Sequence, residues 1–299
     1  MKNQLTGGSA LGRVRVALLT WYATDHRDFP WRRTTDPYAV LVSEVMLQQT
    51  QASRVAERFP TFMSRFPTPR SLAQASEAEV LAAWSGLGYN RRALALRHAA
   101  AEVSKGGWPQ GVEAIRRLPG VGPYTARAVA SLAFGEPVGV VDTNVRRWLV
   151  RRFGLAADSP LRALQALADA LAAAGSAADA GPWTHATMEF GAAICTSRAP
   201  RCDACPISQG CPARGLATAV PVPRQPSFAG SDRAHRGSLL RALSGSPGHS
   251  MTMRAARGLV PDAVVQRVVD GLERDGLLHR SRGRLMLGGP PETAATIGS

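Results

Sequence analysis

Lysine is almost missing from this chain of 299 residues: of its 36 basic side chains only Lys2 and Lys105 are lysines, and the rest are arginines. Two side-chain amines leave little room for imine chemistry. Codon composition accounts for the choice of arginine over lysine, but not for the excess of base over the 22 acids. Cysteine is scarce as well. All four lie within residues 195–211, in CTSRAPRCDACPISQGC, so no disulfide framework runs through the chain. Aromatic residues make up only 6%. No run of eighteen apolar residues occurs, which excludes a membrane-spanning helix of ordinary length. The opening MKNQLTGGSALGRVRVALL has no apolar stretch followed by a small-residue cleavage site, so a cytoplasmic protein is expected.

What is present is a net charge of +14 on a chain that is 45% hydrophobic. That composition suits a folded protein of two or three domains. The charge points to a polyanionic partner, nucleic acid first and anionic lipid second.

From Leu11 to about Leu216 the chain reads as helices with short connections and no convincing strand. Asp36-Pro37 has the form of an N-cap followed by proline at N1, and the spacing predicts one helix over residues 37–59. Ser159-Pro160 predicts another, ending on Gly175. ASEAEVLAAWSG, RRALALRHAAAEVSKGG and TARAVASLAFG have helical period, each with a terminal glycine. Residues 218–232 are proline-rich and read as a linker. After it come two helices, the second burying Val265, Val268, Val269 and Leu272, then a hairpin turning at Arg282-Gly283. That order suggests a small winged-helix-like module over 233–290, with a tail at 291–299. The fold class is therefore mainly α. Residues 1–35 and 137–217 are assigned to one helical subdomain, and 36–136 to a second of six helices.

The cysteines are spaced C-x6-C-x2-C-x5-C, which suits either tetrahedral zinc or a [4Fe-4S] cluster. In LPGVGPYTA (118–126), a helix is expected to stop at Gly120, the chain to turn through Val121 and Gly122, and Pro123 to open the next helix. Two glycines there let backbone N–H groups approach a phosphate at a helix N-terminus; the same pattern also serves a plain αα-corner.

LPGVGPYTA resembles the hairpin of the helix-hairpin-helix DNA glycosylases. VDTNVRR (141–147) resembles the segment that carries their aspartate, and the cysteine spacing is similar to the [4Fe-4S] loop of the endonuclease III and MutY branches. PWRR (30–33), SEVMLQQTQ (43–51) and GLGY (86–89) narrow the resemblance to the adenine glycosylase, or MutY, family. The resemblance covers about residues 15–215. It implies a cluster held by Cys195, Cys202, Cys205 and Cys211, with Arg198 and Arg201 offered to the DNA backbone beside Leu118, Gly120, Val121 and Gly122. It implies that Glu44 protonates adenine, that Asp142 stabilises charge on the sugar, and that Tyr124 and Asn144 sit beside them. Helical spacing places Glu44, Leu47 and Gln48 on one face, where an apolar wall would raise a carboxyl pKa. Taken alone, Glu44 fits a solvated helix face and Asp142 a helix N-cap.

The same resemblance implies that Gln49 and Tyr89 fill the duplex when a base is extruded, and that Arg27, Trp31 and Arg32 lie near the adenine. Endonuclease III enzymes place a strand-cleaving lysine where this chain has Tyr124, so excision without strand cleavage is expected. The implied partner is double-stranded DNA with adenine opposite 8-oxoguanine or guanine, bound by a monomer. Three features depart from the family. Asn90 follows Tyr89 where many members have a second tyrosine. His185 stands where a Glu or Gln approaches adenine. Residues 233–299 are too short for the family's NUDIX-like domain and resemble the abbreviated module of some actinobacterial members. Two rivals share the scaffold: a thymine or uracil mismatch glycosylase, and a non-enzymatic iron-sulfur regulator acting through the winged helix.

Overall fold

In the computed structural model, residues 10–216, 228 and 230–290 are described; the expected tail, most of the expected linker and Lys2 lie outside them. The helices in chain order are α1 (Ala10–Asp25), α2 (Pro37–Leu47), α3 (Ala52–Arg65), α4 (Pro69–Gln74), α5 (Glu77–Ala83), α6 (Arg91–Gly106) and α7 (Val112–Ile115). They continue as α8 (Pro123–Phe134), α9 (Thr143–Phe153), α10 (Leu161–Ala173), α11 (Ala180–Ala193), α12 (Asp232–Gly245), α13 (Met253–Arg257) and α14 (Asp262–Arg274). Contacts group the chain into two compact units, Met1–Glu44 with Trp108–Arg224, and Val45–Gly107 with Gln225–Ser299. This grouping differs from the lines drawn at 36, 136 and 218 from sequence. The hairpin helix α8 packs on α11, and the C-terminal α12 packs on α5.

In the first unit α1, α9, α10 and α11 close on a core that includes Leu18, Trp148, Leu149, Leu164, Leu171 and Phe190. Trp21 and Trp148 each meet the Phe190 ring edge-on, with centroids 5.9 Å apart. Helix α10 begins one residue later than its sequence suggests: Pro160 is the N-cap itself, in extended conformation, and the last helical residue is Ala173. Helix α7 ends at Ile115 rather than at Gly120. Residues 116–120 form turns instead, and Gly120 takes φ 74°, a left-handed conformation that suits glycine.

The single helix expected over 37–59 is two. α2 stops at Leu47, the chain turns through Gln48, Gln49 and Thr50, and Gln51 in extended conformation starts α3. Gln48 is therefore off the helix and shares no helical face with Glu44.

The second unit packs α3–α6 around Phe62, Leu72, Trp84 and Leu96, each at most 1% exposed, with the Phe62 and Trp84 rings edge-on at 5.8 Å. Ser76 and Glu79 form a reciprocal capping box that starts α5. The C-terminal module runs helix–strand–helix–helix–strand–strand, with β1 (Ser250–Thr252), β2 (Leu278–Ser281) and β3 (Arg284–Leu287) in the antiparallel order β1-β3-β2. This is winged-helix topology. Val265, Val268, Val269 and Leu272 are buried as their period predicts, and Arg282 (φ 47°) and Gly283 (φ 74°) make the two-residue turn of the hairpin. The module is seated on α5, where Gly289 N–H donates to Glu77 Oε2 at 2.6 Å. A Cβ on Gly288 would fall 2.9 Å from that of Glu77, so only glycine fits the approach.

Candidate active site

Asp36 fixes where α2 begins. Its carboxylate accepts from the Tyr38 and Ala39 amides at 3.3 and 3.1 Å, and Pro37 takes the first helical position. Two turns later, on a stretch that buries Leu41 and Val42, comes Glu44, itself only 3% exposed. Burial pushes its carboxyl up to about 7, a hydrogen bond from Tyr124 works against the rise, and the charge of Asp142 adds to it. Glu44 Oε2 is buried without a hydrogen-bond partner. A protonated carboxyl with a vacant polar atom is suited to give its proton to a ligand.

Tyr124 enters from the first turn of α8, just after Gly122 and Pro123. Burial and the carboxyls of Glu44 and Asp142 keep its phenol protonated, and its hydroxyl also lies 3.8 Å from Met188 Sδ. In the hairpin before it, the Leu118 and Val121 side chains are 6% and 7% exposed, so they anchor the turn from inside. The backbone around the exposed Gly120 and the half-buried Gly122, with the exposed Arg116 and Arg117, is open to a phosphate.

Asp142 is the N-cap of α9, accepting from Val145 N at 2.6 Å. Burial raises its carboxyl despite this bond and the one from Asn144 Nδ2, 2.8 Å from Asp142 Oδ2. Asn144 is held in turn by Arg147, whose Nη2 donates to Asn144 Oδ1 at 2.9 Å and whose Nε donates to the Cys195 carbonyl at 2.7 Å. Arg147 is buried and also donates to the Gly191 carbonyl. Gly191 is needed there, since a Cβ would lie 2.7 Å from the Asn144 carbonyl oxygen. Arg147 belongs to VDTNVRR, and the family resemblance of that segment assigns it no role. Its three-residue spacing from Asn144 on one helix was the available signal.

Arg27 and Arg32 meet at a residue the sequence reading did not name. Glu189 on α11, 1% exposed, accepts from Arg27 Nε at 2.6 Å and Nη2 at 2.9 Å, and from Arg32 Nη2 at 2.7 Å. Burial alone would raise this carboxyl, but the hydrogen bonds from Arg27 and Arg32 and their charges bring it below its ordinary value. Trp31 is buried and stacks on Phe29, centroids 4.7 Å apart. His185, one turn before Glu189, stacks on Tyr22; burial and the charge of Arg32 lower its pKa to about 3, so it is neutral at physiological pH.

The four cysteines are free thiols lining one hollow together with Arg151 and Arg152. Arg151 Nη1 points at Cys195 Sγ from 3.6 Å, and Ile207 plugs the loop into the core of α9 and α11. Among the described residues no three His, Cys, Asp or Glu side chains are gathered tightly enough for a single ion. Arg198 and Arg201 are exposed on the same loop.

In the second unit Gln49 is exposed and Tyr89 is 42% exposed. Both have left-handed backbones, φ 55° and 47°.

Residues 42–173 match the HhH-GPD superfamily of base excision DNA repair proteins. The chain is 40% identical to the adenine DNA glycosylase of Mycobacterium tuberculosis over 285 residues, covering 85% of this chain and 90% of that one. It is 41% identical to that of Mycolicibacterium smegmatis over 290 residues, 93% and 97% of the two chains. A solved thermostable thymine-DNA glycosylase superposes with a TM-score of 0.62 at 32% identity, over 69% of this chain and 96% of the other. No helix among the described residues is long and apolar enough to cross a membrane.

Proposed function

The chain belongs to the adenine DNA glycosylase family of base excision repair, and on that premise we propose that Glu44 is its general acid and Asp142 the group that stabilises the sugar cation. The observation that carries this reading is the buried Oε2 of Glu44, unpartnered on a carboxyl whose pKa is about 7. The extruded adenine accepts the Glu44 proton, the glycosidic C–N bond breaks with its electron pair going to the base, and the purine leaves neutral. The positive charge left on the deoxyribose faces the carboxylate of Asp142, which Asn144 and the α9 amides orient, until water adds at the same carbon and its surplus proton returns to the Glu44 carboxylate. Tyr124, protonated, orients the Glu44 carboxyl.

Recognition is shared among several groups. Gln49 and Tyr89 enter the duplex as the adenine leaves, since extrusion opens a gap that costs a few kcal/mol. Neutral His185, beside the Arg27–Glu189–Arg32 group, meets the extruded base. Gly120 and Gly122 offer backbone N–H groups to a phosphate, as do Arg198 and Arg201 with their side chains. The substrate is adenine opposite 8-oxoguanine or guanine, with the C-terminal module adding lesion preference.

Cys195, Cys202, Cys205 and Cys211 hold a [4Fe-4S] cluster. The soft donors, the shared hollow and the neighbouring Arg151 and Arg152 fit a multinuclear group of negative charge. The cluster supplies a rigid staple for a loop too short to fold alone. Tyr124 occupies the position of a strand-cleaving lysine, and Lys105 lies exposed at the end of α6, so excision stops at the abasic site. Single-turnover adenine release from a duplex, read before and after alkali, tests this. Strand breaks only after alkali are expected; breaks without alkali would overturn the monofunctional reading.

A further inference from the structure

Gln49 and Tyr89 share an uncommon backbone. A non-glycine residue at positive φ crowds its own side chain and persists only where its surroundings insist on it. In this chain one side chain ties the two turns together. Arg92, in the first turn of α6, reaches between the two turns that carry these residues. Its Nη1 donates to the Val45 carbonyl at 2.7 Å, to that of Met46 at 3.2 Å, and to that of Gln48. These are carbonyls at the frayed end of α2, which no later amide of the helix reaches. Its Nη2 donates to Thr50 Oγ1 at 3.1 Å, the Gly88 carbonyl at 3.0 Å and the Leu87 carbonyl at 3.4 Å, and its Nε to the Tyr89 carbonyl at 3.3 Å. The Thr50 hydroxyl adds a direct tie to the Leu87 carbonyl at 3.4 Å. The guanidinium carbon also lies 5.4 Å from the centre of the Trp84 ring and 5.5 Å from that of Tyr89.

A planar fork with donors on both sides can bridge two turns; a lysine ammonium is a point and cannot. Desolvation lowers the Arg92 pKa to about 10, so the charge that strengthens these bonds is intact at physiological pH. The result is costly to build and holds an aromatic side chain partly out in solvent. A packing role alone would bury Tyr89 instead.

We propose that Arg92 is a positioning residue for base extrusion: by tying the Gln48–Thr50 turn to the Leu87–Tyr89 turn, it holds Gln49 and Tyr89 as one preformed two-pronged wedge before DNA arrives. The proposal rests on the reading that these two side chains enter the duplex. A wedge already ordered in the free protein avoids the ordering cost that a mobile pair of turns would pay on binding.

The test uses full-length Arg92→Lys, the double variant Gln49→Ala/Tyr89→Ala, and the triple combination. A fluorescent base analogue beside the target adenine reports extrusion, and single-turnover release is compared for adenine opposite guanine and adenine opposite an abasic gap. Arg92→Lys is expected to slow extrusion and release of the paired adenine by about tenfold, and to release the unpaired adenine at close to the normal rate, because extrusion costs least there. In the Gln49→Ala/Tyr89→Ala background it should add little, since it acts through the residues already removed. Equal losses on paired and unpaired substrates, or full additivity, would reduce Arg92 to a structural residue and overturn the proposal. If the double variant extrudes adenine normally, the wedge reading fails and the proposal with it. If the double variant is slow while Arg92→Lys is normal, the proposal alone fails. Should Arg92→Lys not fold, Thr50→Val removes one tie between the turns and carries the same comparison, with an expected effect of about threefold on the paired substrate only.

Discussion

Arg147 Nη2 lies 2.9 Å from Asn144 Oδ1, and the Asn144 amide is thereby turned so that its nitrogen faces Asp142. The same guanidinium holds the Cys195 carbonyl, so one buried arginine links Asp142, through Asn144, to the first residue of the cysteine loop. Arg147→Met keeps much of the side-chain volume and removes all of these donors. It is expected to slow adenine release by about tenfold or more, the effect of losing a buried charge-assisted pair, and to lower iron content per chain. Normal release from a variant of normal iron content would show that Asn144 needs no such orientation.

The pH dependence follows from the raised pKa of Glu44. The acid acts protonated, so release should be near its plateau below about 7 and fall as pH rises through that value. Stability carries the same sign. Between its ordinary pKa and about 7 the folded state binds the Glu44 proton more tightly than the unfolded state, so this residue's contribution to stability is lost as pH rises. Glu44→Gln should therefore stabilise the fold by up to ~3 kcal/mol at pH 8 and by much less at pH 5. Thermal melts at the two pH values check this, and equal shifts would contradict a raised pKa.

Asp142 caps α9 and, on the proposed mechanism, stabilises the sugar cation, and substitution can separate the two. Asn is a good N-cap, so Asp142→Asn should change stability by less than about 1 kcal/mol while slowing release by about a hundredfold, the usual scale for removing an electrostatic stabiliser. Asp142→Ala should lose both, at a further cost of about 1 kcal/mol for the missing cap. Denaturant melts beside single-turnover rates distinguish the cases, and an active Asp142→Asn would remove the residue from the chemistry.

Glu189 holds two arginines in a place where, among the described residues, neither has another carboxylate. Glu189→Gln should destabilise the protein by roughly 2–4 kcal/mol, since it leaves a buried cation underpaired. Arg32, 9% exposed at its side chain, should tolerate loss less well than the half-exposed Arg27. Urea melts of Glu189→Gln, Arg32→Met and Arg27→Met check the order, and the reverse order of the two arginine variants would contradict it.

Where the sequence was informative, the cause was local. Asp36-Pro37 starts α2 because cap and proline act on the next few residues, and the valines of α14 are buried because their period is helical. Arg282-Gly283 turns the hairpin because both residues accept positive φ. Glu44, Asp142 and Asn144 could be picked out from their motifs, and the structure brings Glu44, Tyr124 and Asp142 within electrostatic reach of one another. The failures were tertiary. Nothing near Leu47 in the chain announces that α2 stops there; the stop is held by Arg92, more than forty residues away. Glu189 carries no local signal, because its partners lie some 160 residues earlier. Strand β1 is three residues long and is defined by its pairing with β3 rather than by its own pattern.

The measurement closest to the centre of this account is single-turnover adenine release by Glu44→Gln beside its affinity for the same lesion duplex. The account predicts that release is abolished while binding to the 8-oxoguanine:adenine duplex stays within a few-fold of the unmodified protein, because Gln fills the same space and lacks only the proton to give. Release at a near-normal rate would contradict it, and the acid would have to be sought elsewhere in the site.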